Sequence, residues 1–395
     1  MEAIKTGASW YRVSGDEKDR ASAAAALRFI DKWERSADGT FTAPDCFAQE
    51  PHEPSNGVET CSVVEEMYSL RTSYEVDGNV SLYDRLEWVA FNAMPATTNP
   101  TFTGNAYYHE VNQVVMNGKS GYGMNGCCTG NVHQGWPKFI MSGVAVETAT
   151  STVVVAGYAP YAATLPDGAR VTTGGSYPFA DEATVAVERT ASDAPFGLKL
   201  RIPCWAKSAT VAVDGGKTYP APPCAFFVVP GVDASTTAWK ATVAFEHVIE
   251  VVENAWKTPK GAVEIKRGPL LYTFPVPGRV VMKELNGTRV EDTRVVVDDT
   301  KVWQIALKAP SPETLTFSGF TPLHSRVPFS RDAPPATIAA TARETVNCKG
   351  YDKGHVPPSP ITAKNVNGTD FTVNLVPLAH SFLRITVLPV LAADL

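Results

Sequence analysis

The chain has 395 residues, of which 44% are hydrophobic and 19% are charged, and its formal net charge is −6. This length exceeds what a single core ordinarily organises, so two or three domains are expected, with the composition of a globular protein. No basic cluster is present to neutralise phosphates, which disfavours nucleic-acid binding. No apolar run reaches membrane-spanning length, which argues against a membrane protein.

Residues 1–143 carry the periodicity of helices. Lys18–Arg35 is rich in strong helix formers and predicts the first long helix. Glu59–Val76 predicts a second helix, because its apolar residues recur at steps of three and four. The apolar face of that helix comprises Val63, Met67, Leu70 and Tyr74.

The helical pattern continues in Ser81–Ala93, and Pro95 is expected to end it because the residue before a proline avoids the α region. Residues 97–126 are rich in Thr, Asn and Gly and predict a long loop. Long loops inside compact domains are more often functional than idle. Cys127–Met141 predicts a last helix, which Pro137 would break or kink.

Near residue 144 the apolar period changes from 3.6 to 2. Leu198, Leu200 and Ile202 alternate with Lys199 and Arg201, the pattern of a half-buried strand. The predicted strands are 152–155, 198–202, 211–213, 242–245, 248–252, 262–266, 294–298, 303–307, 314–318, 370–376 and 382–388. Recurrent turn signals between them predict sandwich-like all-β structure.

Helices first and strands second indicate separate domains rather than one doubly wound sheet. We predict a helical domain at 1–143, a β-sandwich at 144–258 and a second β-sandwich at 259–395. The last strands of the chain either belong to the second sandwich or return to the first. The N-terminal residues 1–7 lack the apolar core of a signal peptide, and the compartment and oligomeric state stay open.

Glu59, Cys61, Cys127 and Cys128 together offer one carboxylate and three thiols. Thiolates favour zinc over calcium or magnesium, so this set predicts a zinc site. The alternative is that these cysteines are small apolar core residues, since no Cys-x2-Cys pair is present. Spacing alone leaves both interpretations open.

Five stretches of the sequence resemble motifs of glycoside hydrolase family 127, the β-L-arabinofuranosidase family. They are Glu59–Glu65, Arg85–Ala93, Cys127–Phe139, Leu200–Ala206 and Lys266–Leu270. The resemblance implies an α/α toroid followed by β-sandwich domains and a carbohydrate substrate. It also implies a retaining glycosidase acting on β-L-arabinofuranosides or related sugars.

Residue by residue, the resemblance implies that zinc is held by Glu59, Cys61, Cys127 and Cys128, and that Cys127 is the nucleophile. A metal-held thiolate can replace the carboxylate nucleophile of ordinary retaining glycosidases. The family places an acid/base glutamate upstream, often in Ala-Asp-Glu, where this chain has Ala43-Pro44-Asp45-Cys46. Asp45 is the leading candidate for that role, ahead of Glu50 and Glu53.

Three further residues are implied in sugar binding, each with a plainer alternative. Glu87 would bond the sugar, or it is a solvated helix residue. Tyr107 and Tyr108 would contact the sugar, or they pack within the Thr/Asn/Gly-rich loop. His109 and His133 are expected to be structural histidines, because four ligands already complete a zinc site.

The helical region is short for a complete toroid. About twelve helices of roughly 10–14 residues each need more than the 143 residues available here. We therefore expect the C-terminal part of a toroid, in a chain lacking its first part. The alternative function is an inactive truncated homologue that acts as a carbohydrate-binding or structural protein, and a third is a plain thiol or zinc-binding protein.

Overall fold

The structure is a computed structural model that describes residues 2–33, 35–41, 53–116, 118–190, 196–213, 216–253, 259–285, 291–319, 329–331, 333–348, 351 and 356–395. Helices occupy its first part and strands the remainder. This order confirms the predicted fold class, a partial α/α toroid followed by β-sandwich domains. In the described ranges, no helix combines the length and apolar character needed to cross a bilayer.

The helical part contains six α-helices and a π-helical turn in the described residues. The α-helices are α1 Thr6–Ser14, α2 Glu17–Trp33, α3 Thr60–Asp77, α4 Val80–Trp88, α5 Met94–Ala96 and α6 Gly126–Met141. The π-helical turn is Val89–Ala93, and the 3-10 helices are Glu2–Lys5, Gly118–Ser120, Ala363–Asn365 and Leu378–His380.

Helix α3 lies at the centre of this part and packs against α6, α4 and α1. Its predicted apolar face, with Val63, Met67 and Leu70, is buried as expected. Polar side chains on its other faces are buried too, including Glu66, whose carboxylate lies 2.7 Å from the guanidinium of Arg85. The helix is therefore enclosed nearly all round, which an amphipathic pattern does not predict.

One predicted helix end was wrong, and a predicted break within another helix is absent. The run that was expected to end at Pro95 continues to Ala96, because a π-helical turn intervenes and Pro95 enters a new short helix near its start. Helix α6 continues through Pro137 without breaking. Pro137 and His133 are both exposed, so the carbonyl that loses its intrahelical donor remains accessible to water.

The first β unit follows α6 directly and consists of two sheets. Their strands are β4 Val144–Glu147, β5 Thr152–Val155, β6 Tyr161–Thr164, β7 Arg170–Gly175, β8 Glu182–Glu188, β9 Gly197–Ile202, β10 Ala209–Val213, β11 Thr218–Ala221, β12 Ala225–Val228 and β13 Ala238–Phe245. One sheet has the order β11-β10-β13-β8-β7-β6 and the other β12-β9-β5-β4, with β5 and β9 parallel. Apolar side chains of both sheets belong to one core cluster.

Strand β9 departs from its predicted pattern at one residue. Leu198, Leu200 and Ile202 are buried as expected, but Arg201 is fully buried as well. Just beyond β9, Cys204 forms a disulfide with Cys224, which the sequence analysis did not predict. The pairing of Ile202 with Ala225 in the β9–β12 register brings the two cysteines side by side.

The remaining strands form the second β unit. They are β14 Ile249–Glu253, β15 Val263–Arg267, β16 Leu270–Val276, β17 Gly278–Leu285, β18 Glu291–Val297, β19 Ile305–Leu307, β20 Thr316–Ser318, β21 Thr337–Thr345, β22 Val366–Pro377 and β23 Leu383–Ile385. The main sheet has the order β14-β15-β16-β22-β21-β19, with β20 on β21 and β23 on β16. Strand β14 precedes residue 258 yet pairs with β15 beyond it.

The predicted long loop at 97–126 connects the helical part to the second β unit. It contains β2 Tyr108–His109, which pairs with β1 Val58–Glu59, and β3 Val115–Met116, which pairs with β18. Asn112 accepts backbone hydrogen bonds from Thr386 and Val387 at 2.7 and 3.0 Å. These contacts hold the described part of the loop against β1 on one side and against the second β unit on the other.

Candidate metal centre

Glu59, Cys61, Cys127 and Cys128 converge at the first turns of two neighbouring helices. Glu59 is the N-cap residue of α3 and Cys61 lies in its first turn, while the two adjacent cysteines begin α6. One donor atom from each residue lies within 4.8 Å of all the others. The structure thus brings together the four residues that the sequence interpretation placed around zinc.

The spacing of these donors fits a tetrahedral zinc site. Cys61 Sγ lies 3.5 Å from Cys127 Sγ and 3.4 Å from Cys128 Sγ. Glu59 Oε1 lies 3.8 and 3.7 Å from the sulfurs of Cys127 and Cys128. Tetrahedral coordination with Zn–S near 2.3 Å and Zn–O near 2.0 Å gives edges of about 3.8 Å between sulfurs and about 3.5 Å between sulfur and oxygen. The donor set is therefore compatible with zinc in both chemistry and size.

Local backbone pairing explains how Glu59 reaches this position. Glu59 pairs with Tyr108 in the β1–β2 ladder, and Thr60 Oγ1 donates to the carbonyl of Ala106 at 2.7 Å. On the other side, Asn105 accepts a hydrogen bond from Thr129 Oγ1 of α6 at 2.9 Å. The segment 105–108 therefore holds the start of α3 and the start of α6 at a fixed separation.

The helix N-termini and the other groups of the cluster shift the cysteine pKa values in opposite directions. Both helix N-termini direct partial positive charge toward the cysteines, which stabilises thiolates. In the metal-free cluster, the hydrogen bond to Cys128 and burial raise the pKa of the Cys61 thiol. The hydrogen bond with Cys61, followed by burial, likewise raises the pKa of Cys127. A bound cation would reverse this preference, because coordination deprotonates thiols.

Asn131 extends the cluster by one hydrogen bond. Its Nδ2 donates to Cys61 Sγ at 3.2 Å, and its Oδ1 accepts from Gln134 Nε2 at 3.1 Å. Asn131 belongs to the Cys-Cys-x-x-Asn run noted in the sequence, but that pattern did not reveal this contact. A helical spacing of four from Cys127 is the signal that places it on the cluster side of α6.

The two tyrosines predicted to contact a sugar lie beside the cluster. Tyr107 and Tyr108 pack edge to face with ring centroids 4.6 Å apart, and Lys119 Nζ lies 4.6 and 5.2 Å from their centroids. Tyr108 is opposite Glu59 in the ladder, so the two side chains share one face. Both tyrosines are half-buried.

Glu87 occupies a different environment, enclosed between α4 and the first β unit. It is fully buried, its Oε2 lies 2.5 Å from Arg201, and it accepts a hydrogen bond from Tyr177 at 2.7 Å. Burial raises the pKa of Glu87 to about 7, although the charge of Arg201 opposes that shift. Its partners are thus protein groups, and its contact with a sugar stays a prediction.

The acid/base candidates Asp45 and Glu50 lie outside the described residues, while Glu53 is described and half-buried.

His133 is exposed. His109 is buried, with its Nε2 2.6 Å from the carboxylate of Asp38. Burial alone would raise the pKa of Asp38, but the hydrogen bond and charge of His109 outweigh it and lower that pKa to about 2. The Asp38–His109 pair was not predicted, since the two residues are 71 positions apart.

Two family models match parts of the chain. The family model described as the GH127 catalytic domain of beta-L-arabinofuranosidase matches residues 2–140, and the GH127 middle-domain model matches residues 152–229. None of the curated protein sequences matches the chain.

The solved structures that resemble the fold include three glycoside hydrolases. A glycoside hydrolase aligns with TM-score 0.71 and 14% identity over 98% of this chain and 65% of its own. A GH127 beta-arabinofuranosidase aligns with TM-score 0.68 and 17% identity over 98% of this chain and 59% of its own. A GH127 beta-L-arabinofuranosidase from Geobacillus stearothermophilus T6 aligns with TM-score 0.66 and 12% identity over 95% of this chain and 57% of its own. The chain therefore spans less than two thirds of the length of each.

Proposed function

The chain belongs to glycoside hydrolase family 127, and on that premise we propose that it is a retaining glycosidase acting on β-L-arabinofuranosides or related sugars. The observation that supports this most directly is the convergence of Glu59, Cys61, Cys127 and Cys128 within 4.8 Å. We propose zinc as the ion that these residues hold. Zinc bound there would keep the coordinating sulfurs deprotonated at neutral pH.

Cys127 is the proposed nucleophile. It is the exposed member of the four, so a substrate can approach its sulfur, whereas Cys128 is buried and suited to coordination alone. Its position in the first turn of α6 places it where the helix dipole stabilises a thiolate. An exposed thiolate of this kind can attack the anomeric carbon of a furanoside.

The proposed reaction has two displacements at the anomeric carbon. In the first, the Cys127 sulfur forms a bond to that carbon while the glycosidic C–O bond breaks, and the departing oxygen takes a proton from Asp45. In the second, Asp45 accepts a proton from water, the water oxygen bonds to the carbon and the C–S bond breaks. Two inversions restore the original configuration, which makes the enzyme retaining.

Tyr107 and Tyr108 are proposed to contact the sugar from the side of Glu59. Their half-buried rings and the neighbouring Lys119 ammonium provide an apolar surface and a hydrogen-bond donor. Glu87 is proposed to hydrogen-bond the sugar from the last turn of α4, where it belongs to a buried network with Arg201.

The test is hydrolysis of an aryl β-L-arabinofuranoside by the zinc-supplied chain and its cysteine variants. Cys127→Ser should abolish turnover, because a serine hydroxyl is much harder to ionise than a thiol. Cys128→Ser should lose activity through a weakened metal site, and excess zinc should restore part of it. Cys348→Ser, which alters a free thiol in the second β unit, is the matched control and should retain activity.

Full activity in Cys127→Ser would refute the thiolate mechanism and return the reaction to a pair of carboxylates. Zinc binding without turnover in the wild-type chain would instead support the carbohydrate-binding alternative.

A further inference from the structure

A pocket of about 420 Å³ lies between α6 and the turn at residues 98–104. Its α6 wall is formed by Thr129, Val132, His133 and Trp136, which recur at steps of three and four. On the helix these residues lie on the flank opposite Cys127 and Asn131. The pocket and the cysteine cluster are therefore two separate surfaces on either side of one helix.

The lining of the pocket is uncharged and mostly apolar, with aromatic walls. Phe102 and Trp136 contribute aromatic surface, while the exposed His133 contributes a hydrogen-bonding group. Among the described residues that line it, none carries a carboxylate, an ammonium or a guanidinium group. Such a lining suits a neutral ligand that has both apolar faces and hydroxyl groups, and it offers no permanent charge to balance a phosphate or a carboxylate.

Phe102 is presented to solvent by a turn that is fixed by hydrogen bonds. Its side chain is 57% exposed although its backbone φ is +55°, a conformation that is costly for a bulky residue. The buried Asn99 side chain holds the turn by accepting from the backbone N–H of Thr103 at 2.9 Å and of Gly104 at 3.2 Å. The fold thus maintains an exposed aromatic ring at the rim of the pocket in spite of an unfavourable backbone conformation. This combination indicates that the ring has a function.

We propose that this pocket is a second carbohydrate site, which binds a neutral furanosyl segment of the glycan against Phe102 and away from the cysteine cluster. The ring of Phe102 stacks on the C–H face of a sugar, and the exposed imidazole of His133 bonds one of its hydroxyls. The furanosyl class rests on the proposed function, whereas the site itself rests on the pocket. The protein could then bind a longer glycan at two places, with one sugar unit in this pocket and another at the cysteine cluster.

Isothermal titration calorimetry with a linear arabinofuranosyl tetrasaccharide tests this proposal. The titrations use the full chain carrying Cys127→Ser, so that binding is measured without turnover. Phe102→Ala in that background should weaken binding about tenfold or more through the lost stacking surface. His133→Ala should weaken it less, and Phe102→Tyr should retain it because the ring is kept.

Phe29→Ala is the matched control, since Phe29 is 48% exposed on α2 and lies outside the pocket. It should bind like the parent. Hydrolysis of a small aryl furanoside by the Phe102→Ala chain that retains Cys127 should be unchanged, which separates this site from the proposed catalytic one. Equal affinity of the parent and Phe102→Ala, or no binding by the parent, would overturn the proposal. Equal binding of an anionic tetragalacturonate would overturn the assignment to a neutral sugar.

Discussion

The cysteine cluster and the buried Arg201 site both gather acidic groups, but they differ in what balances them. At Arg201 the guanidinium lies between Asp84 and Glu87, and all three belong to the protein. At the cluster, no lysine, arginine or histidine in the described part of the chain pairs with Glu59. At Arg201, the ion pairs connect strand β9 to helix α4 and balance the buried charges within the protein. At the cluster, the donor atoms converge without a positively charged partner, which indicates a site for an external cation.

The largest expected effect comes from removing the internal balance. Arg201→Met should lower the free energy of unfolding by about 3–5 kcal/mol, because it leaves two buried carboxylates without their cation. Chemical denaturation measures this difference. Lys199→Met on the same strand is the control: its pair with Glu147 is partly exposed, so the loss should stay below about 1 kcal/mol. Similar losses in both variants would show that Arg201 is not a buried structural ion pair.

The next effect concerns the hydrogen bond to the cluster. Asn131→Leu should weaken zinc affinity by about 10- to 100-fold, the range typical of groups that orient metal ligands. Competition with a chromophoric chelator measures the affinity. Gln134→Ala, which removes only the support of Asn131, should have a smaller effect. An unchanged affinity in Asn131→Leu would remove Asn131 from the account of the site.

The smallest effect is a pH dependence at Glu110, which directly follows strand β2. Burial raises the pKa of Glu110 from 4.5 to about 7, with the charge of Arg384 opposing the shift. The folded protein then keeps this proton at pH values where the unfolded chain releases it. The resulting stabilisation is complete below pH 4.5 and is lost as the pH rises through about 7.

Glu110→Gln should therefore flatten the fall in unfolding free energy between pH 5 and 7 by about 1 kcal/mol per pH unit. Denaturation series at several pH values, compared between the variant and the parent, give this slope. Parallel curves would mean that Glu110 does not titrate in this range.

The sequence predicted the regular elements whose apolar residues repeat clearly. The buried face of α3 and the strands near 152–155 and 211–213 were found where the periodicity placed them. Strands such as Glu182–Glu188 and Thr337–Thr345 were missed, because alanine lies on both their buried and their less buried faces and reduces the contrast between alternate residues. A local pattern indicates burial clearly only when the residues on the two faces differ in apolar character.

The candidate site shows the same limit. The spacing of Cys61 and Cys127 left a metal site and a core interpretation equally open, and the resemblance favoured the metal site. The structure adds the distances, since the β1–β2 ladder and Asn105 bring the two helix starts together. Arg201 was expected on the exposed side of its strand, and its burial depends on carboxylates more than a hundred residues away.

The most direct test of the central claim is the metal content of the full chain after exposure to zinc. Elemental analysis should find about one zinc per wild-type molecule and almost none in Cys61→Ser, because one of four ligands is lost. Cys348→Ser should keep the wild-type content, since that thiol is remote from the cluster. Equal zinc in wild type and Cys61→Ser would contradict the claim that Glu59, Cys61, Cys127 and Cys128 form the metal centre.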